Sequence, residues 1–196
     1  MKKTIKKLLL AGVGGVALLL VSCASISEQE CQAGNWADIG YKDGVKGKSR
    51  AKIADYVQTC GEYGAEVDRQ SYLESYETGL TYYCTYDNGF ERGRNGSSYN
   101  TVCGGSDNTM GAADFRAGYD AGYGEYELRQ RYTRYEADID GVQAELHDVK
   151  DRLDDPAIAA DEKKRLHKKE KRLRDELDDL RWNFRSFKRK YDLHWD

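Results

Sequence analysis

Hydrophobic positions divide the chain into three stretches with different periods. Leu8 to Val21 is an apolar run behind four lysines, Lys2, Lys3, Lys6 and Lys7. From Trp36 to Gly124 the apolar positions are sparse and mostly aromatic, with helical spacing in patches such as Tyr72, Leu73, Tyr76 and Leu80. Beyond that the pattern becomes regular. Leu128, Tyr132, Tyr135, Ile139, Val142, Leu146, Val149 and Leu153 follow a 4-3-4-3 spacing. Leu166, Leu173, Leu177, Leu180, Phe184, Phe187 and Tyr191 do the same, with Glu170 at the polar seam position.

A seam sustained over this length predicts a coiled coil. Pro156 stops the first helix, and Asp161 with Glu162 starts the second, so the short loop makes the arms an antiparallel hairpin. Each arm is expected to reach roughly 45 Å at about 1.5 Å per residue. In such a pair the aromatic end, Trp182, Phe184, Phe187, Tyr191 and Trp195, lies beside Tyr132 and Tyr135. The Pro156 loop is then the projecting tip.

Strand alternation is sustained nowhere, so the middle stretch is expected to be helical too. Asp68 is placed to cap a helix through Tyr72 and Leu80 that ends near Cys84. Ile53 to Gln58 reads as another helix. Asp87-Asn88-Gly89 reads as a turn, with Asp87 capping a short helix carrying Phe90 and Arg94, and Gly104 to Asp107 as a loop. The fold class is therefore mainly α: a small disulfide-stapled, Gly/Tyr-rich helical domain followed by an antiparallel coiled-coil helical hairpin.

The N-terminal run is too short for a comfortable membrane span of about 20 residues and has the basic, apolar, small-residue layout of a secretory signal. It ends in Leu20-Val21-Ser22-Cys23, the pattern of a bacterial lipobox: an aliphatic residue, a small residue at the cut, then the thiol that receives a diacylglyceryl group. Lipidation is thus expected at Cys23, with a membrane as partner through that anchor. Ala24 rather than Asp follows it, which favours the outer membrane, facing the periplasm, over inner-membrane retention. The expected organisation is signal peptide 1–22, polar tether 23–33, Gly/Tyr/Cys-rich helical domain 34–124 and hairpin 125–196.

Composition sharpens this division. Of 15 tyrosines all but Tyr191 precede Glu136, and of 20 glycines 16 lie between Gly34 and Gly124. A net charge of −3 gives no electrostatic case for nucleic acid. Cys31, Cys60, Cys84 and Cys103 remain after Cys23. An even number in an exported region with a small core reads as two disulfides. Zinc is the rival reading, but there is no CxxC pair and no histidine in this half. Three pairings are possible; Cys31–Cys60 with Cys84–Cys103 is preferred as the most local closure.

A motif recurs in this half. Gly40-Tyr41-Lys42-Asp43-Gly44 is followed by Gly47, Gly89-Phe90-Glu91-Arg92-Gly93 by Gly96, and Gly118-Tyr119-Asp120-Ala121-Gly122 by Gly124, while Tyr76-Glu77-Thr78-Gly79 is a degenerate cousin. Spacings of four and three place the glycines on one helix face. Interior glycines cost a helix roughly 1 kcal/mol each, so close approach of another element, with the aromatic packed over the bare stripe, is expected to offset them. No strand precedes them and the Gly-x-Gly-x-x-Gly order is absent, which argues against a phosphate cradle. No cofactor is expected.

Cys31, Trp36, the Gly40 to Gly47 motif, Cys60, Tyr76-x-x-Gly79-Leu80, Tyr83-Cys84-Thr85, the Gly89 to Gly96 motif, Tyr99-x-x-Val102-Cys103 and Phe115-x-x-Gly118-Tyr119 occur in order. This arrangement resembles the bacterial lipoprotein family known as domain of unknown function 2799. The resemblance spans about Cys31 to Gly124 and, more loosely, the helical tail. It implies an exported, lipid-anchored protein and supplies no activity.

Candidate chemistry is thin. The histidines are His147, His167 and His194. Folding the hairpin brings His147 and His167 to similar heights near Asp148, Asp151 and Glu170, but His147 points away from the seam, so exposed polar residues are favoured over a metal site. The runs Lys163-Lys164-Arg165 and Lys168-Lys169-Glu170-Lys171-Arg172 make a basic patch, read as a solvated coiled-coil face, with docking to anionic lipid heads or polysaccharide as the alternative. The favoured function is a non-enzymatic envelope lipoprotein whose hairpin contacts a protein or the cell wall. The alternative is an envelope enzyme acting on cell-wall glycan through two carboxylates such as Asp43 and Glu91.

Overall fold

The computed structural model describes residues 26–104 and 111–193. Cys23, His194 and Trp195 lie outside this range. Among the described residues the secondary structure is helical: α1 Glu28–Ala33, α2 Trp36–Val45, α3 Lys52–Glu62, α4 Arg69–Tyr83, α5 Tyr86–Arg94, a 3-10 turn Thr101–Gly104, α6 Ala112–Leu153 and α7 Ala160–Tyr191.

Side-chain caps account for three of the helix starts. Ser27 and Glu30 form a reciprocal capping box that starts α1, and Asp68 accepts from the Ser71 amide to start α4. Thr85, not Asp87, caps α5 by accepting from the Asn88 amide, so Asp87-Asn88-Gly89 is helix rather than turn. The stretch 23–33 expected to be a tether is corrected from Ile26 onward. Ile26 is buried, and α1 carries Cys31 into the core at 2 % exposure.

Both preferred disulfides are present, Cys31–Cys60 and Cys84–Cys103, with Cα separations of 5.4 and 5.5 Å. Each would restrict the unfolded chain by about 3–4 kcal/mol. They bind a core built from tyrosine as much as from aliphatic residues: Tyr56, Tyr72, Tyr76, Leu80 and Phe115 are nearly inaccessible.

The glycine motifs pair two by two. Helices α2 and α4 pack so closely that a Cβ on Gly40 or Gly44 would meet the backbone of Tyr72 or Tyr76, and one on Gly79 would meet that of Tyr41. Helices α5 and α6 repeat the arrangement: Gly89 lies against Phe115, Gly93 against Tyr119, and Gly122 against Phe90. Partner backbone, not an aromatic ring, covers each bare stripe, and Tyr41 itself is 38 % exposed. Gly47 and Gly96 are off the helix face. Each follows a helix end at positive φ (62° and 67°), beneath the rings of Tyr83 and Tyr126 respectively. Gly124 meets nothing.

These contacts define two copies of one module. A shift of 49 residues carries Gly40, Gly44 and Gly47 onto Gly89, Gly93 and Gly96, and a shift of 43 carries Tyr72, Tyr76, Gly79 and Tyr83 onto Phe115, Tyr119, Gly122 and Tyr126. Hydrogen bonds obey the same shifts: Tyr76 Oη donates to the Lys48 carbonyl and Tyr119 Oη to that of Ser97. The 43-residue shift also carries Cys60 onto Cys103. The connector of the first module is longer and folds as α3, where the second has the 3-10 turn. Asn100 links the modules, its amide donating to the Gly47 carbonyl and the Tyr83 hydroxyl.

Helix α6 then runs through Gly124, where the composition changes, and becomes the first arm of the hairpin. Leu146, Val149, Leu166, Leu173 and Leu177 form the seam core. Glu145–Lys169, Arg152–Glu162 and Tyr135–Phe187 contacts advance in opposite directions along the helices, which makes the arms antiparallel. At the near end Phe184 packs on Tyr132 and Tyr135, as the sequence pattern predicts, whereas Trp182 faces solvent at 61 % exposure.

Candidate functional site

Among the described residues Asp43 is the one buried charged side chain, 3 % exposed. Its place follows from the sequence, since it is three residues after Gly40 and next to Gly44, on the face of α2 that meets α4. Its Oδ2 accepts from Tyr56 Oη at 2.8 Å and Tyr72 Oη at 3.1 Å, and Lys48 Nζ lies 2.7 Å from Oδ1. Thus α2 supplies the acid, α3 and α4 the phenols, and the turn after Gly47 the ammonium.

The phenols are held neutral. Burial pushes the Tyr56 hydroxyl far up, helped by its hydrogen bond to Asp43. Burial, then the Asp43 charge, does the same for Tyr72. Tyr76, next in the row, is pushed up to about 12 by burial and by Glu77. None of the three is disposed to act as a base near neutral pH. They are donors that satisfy a carboxylate, a role in which one missing partner costs far more than the network contributes net.

A cleft of about 390 Å³ opens beside this group, lined among others by Glu30, Asp38, Lys42, Lys46 and Lys48. Lys42 is paired with Asp38 at 2.6 Å and Glu30 caps α1, so most of its charge is already matched. Glu91, the other acid considered for glycan chemistry, is not among the residues lining this cleft. It is exposed on α5, 3.5 Å from Arg94. The equivalent of Asp43 in the second module is Arg92, whose guanidinium lies over the Tyr83 ring. The carboxylate network is therefore a property of the first module alone. Sequence reasoning singled out Asp43 but missed Tyr56, Tyr72 and Lys48; the glycine spacing that buries Asp43 was the available signal that it needs donors.

Of the histidines, His147 and His167 do not converge. His147 pairs with Asp151 and His167 with Glu170, each within its own helix, and no group of three potential ligands occurs among the described residues. No helix among the described residues is long and apolar enough to cross a membrane.

Residues 35–124 match the family model described as protein of unknown function (DUF2799). The match takes in all the paired glycines of both modules. No curated protein and no solved structure matches the chain.

Proposed function

We propose that this chain, whose residues 35–124 carry the DUF2799 domain, is a lipid-anchored protein of the bacterial cell envelope that acts by contact rather than catalysis. The observation that carries the reading is Leu20-Val21-Ser22-Cys23 behind a basic and apolar leader. Two closed disulfides suit the oxidising compartment such a leader implies. Ala24 after the acylated cysteine favours the outer membrane, facing the periplasm. The contact element in this reading is the α6–α7 hairpin, which reaches a protein or cell-wall partner. Its apolar seam is spent internally, and its outer surface, Trp182 and Tyr191 apart, is polar.

Catalysis on cell-wall glycan through Asp43 and Glu91 finds less support, because both oxygens of Asp43 are already engaged. The test is labelling of growing cells with a radioactive fatty acid, comparing wild type with Cys23→Ser, followed by crosslinking from the hairpin in intact cells. Label on the wild type alone, with captured envelope components, is expected. Label and membrane fractionation unchanged in Cys23→Ser would sink the anchor.

A further inference from the structure

The start of α7 carries a concentration of charge that the hairpin does not use. From Lys163 to Arg174 there are eight Lys or Arg and one acid, Glu170, over roughly 17 Å of helix. Glu170 is already taken by Arg174 and His167, and Lys169 turns inward to Glu145. Lys163, Lys164, Lys168 and Lys171 line one open face with His167 and enter no ion pair among the described residues. Of the nearest acids, Glu162 is held by Arg152 and Asp155 accepts from the Ala157 amide, while Asp161 stands exposed beside the row.

We propose that this lysine row is a docking surface for an anionic lipid bilayer. The proposal rests on the reading of the hairpin as a contact arm and names what its tip touches. Three features select a bilayer. The row lies along one wide-open helix face, which suits a flat array of phosphates and not one small anion, which needs converging donors. It has no large exposed apolar side chain: those of α7 are Trp182 and Tyr191, nearer its other end. It is also lysine-rich, and lysine is depleted in protein–protein interfaces, where an apolar centre supplies the anchor. A basic helix face of four to eight charges is instead what binds acidic headgroups, with flexible stems lying along the surface.

The test uses the polypeptide from Ile26 onward, which contains every described element but neither the leader nor the acylation site. Co-sedimentation is measured with phosphatidylcholine vesicles, with and without about 30 % phosphatidylglycerol, at low and high salt. Binding is expected only to the acidic vesicles and is lost at high salt. At roughly fivefold per lysine, Lys164→Gln/Lys168→Gln/Lys171→Gln is expected to bind about 100-fold more weakly. Arg181→Gln/Arg185→Gln/Arg189→Gln, which removes equal charge from the other end of α7, keeps its binding. Melting curves establish that both variants are folded. Equal binding to neutral vesicles, or equal loss in both variants, overturns the proposal. Tighter binding to soluble polyphosphate than to vesicles also overturns it and assigns the row to a free polyanion. Because this polypeptide carries no anchor, failure here is distinct from failure of fatty-acid labelling at Cys23.

Discussion

Replacing glycine by alanine at two helical positions should move stability in opposite directions. At Gly44, in α2, a Cβ would lie closer than 3.0 Å to the backbone of Tyr76 and Leu80. Ordinary carbon contacts begin near 3.5 Å, so the α2–α4 axes must part by roughly 1 Å. Neither backbone can yield as a side-chain tip could. The separation loosens Tyr72 and Tyr76, the largest fully buried side chains, and lengthens the bonds to Asp43. Overpacking of this kind costs about 1–3 kcal/mol, against which alanine recovers up to about 1 kcal/mol of helix propensity. The expected net loss is about 1–2 kcal/mol, or roughly 2–8 °C for a chain of this size. Gly124 lies inside α6 with nothing within 4 Å of its Cβ position, so Gly124→Ala should gain up to about 1 kcal/mol. Thermal and urea melts followed by circular dichroism, with both disulfides intact, provide the assay. A Gly44→Ala protein that melts at or above wild type, or two variants that shift the same way, would refute the packing assignment.

Three further outcomes follow from the same contacts. Asp43→Ala leaves the Tyr56 and Tyr72 hydroxyls buried without their acceptor and should cost about 3–5 kcal/mol, and Asp43→Asn, which retains an acceptor, clearly less, as urea midpoints will show. Tyr56, Tyr72 and Tyr76 ionise less readily folded than unfolded, so their contribution is intact below pH 10 and lost as pH rises toward and beyond about 12. The full phenolate absorbance at 295 nm, with all 15 tyrosines ionised, should therefore be reached only with loss of helicity; complete ionisation with helicity retained counts against it. Truncation after Leu180 removes Phe184, Phe187 and Tyr191 from Tyr132, Tyr135 and Arg131 and should increase amide exchange in α6 around Tyr135; unchanged exchange there means the aromatic end carries no stability.

The hairpin was legible because its burial is periodic: two helices sharing one seam leave a mark every three or four residues, and the observed seam uses those positions. The disulfide half was legible in composition and in its preferred cysteine bridges, but not in which helices pair. Its helices meet through backbone, and glycine spacing announces a close approach without naming the partner. The motifs at Gly40 and Gly89 look alike because they occupy the same place in successive modules. Those at Gly79 and Gly122 are the opposite halves of the same contacts. Two different shifts, 49 and 43 residues, hide the duplication from a search for one fixed period. The Asp43 network was illegible for a further reason. Tyr56 and Tyr72 lie 13 and 29 residues away, and only the folded α2–α4 pair brings their hydroxyls to one carboxylate.

The continuity of α6 determines how the hairpin can act on the rest of the molecule. A flexible linker at Gly124 would let the arm move while the modules stayed indifferent. Instead the helix that presents Gly118 and Gly122 to α5 is the helix that extends to Leu153. Arg129, just past the join, reaches back to the Arg94 carbonyl at the end of α5, and Arg94 in turn meets Glu125. Force applied near the Pro156 loop therefore reaches the second module through an unbroken helix and is resisted by a backbone-to-backbone contact with little compliance. The Cys84–Cys103 bridge ties the end of α4 to the 3-10 turn and so encloses α5 in a short closed loop. An arm mounted this way holds its tip at a fixed distance from the modules. The contact role proposed above asks for such a mounting, and a freely hinged tail would lack it.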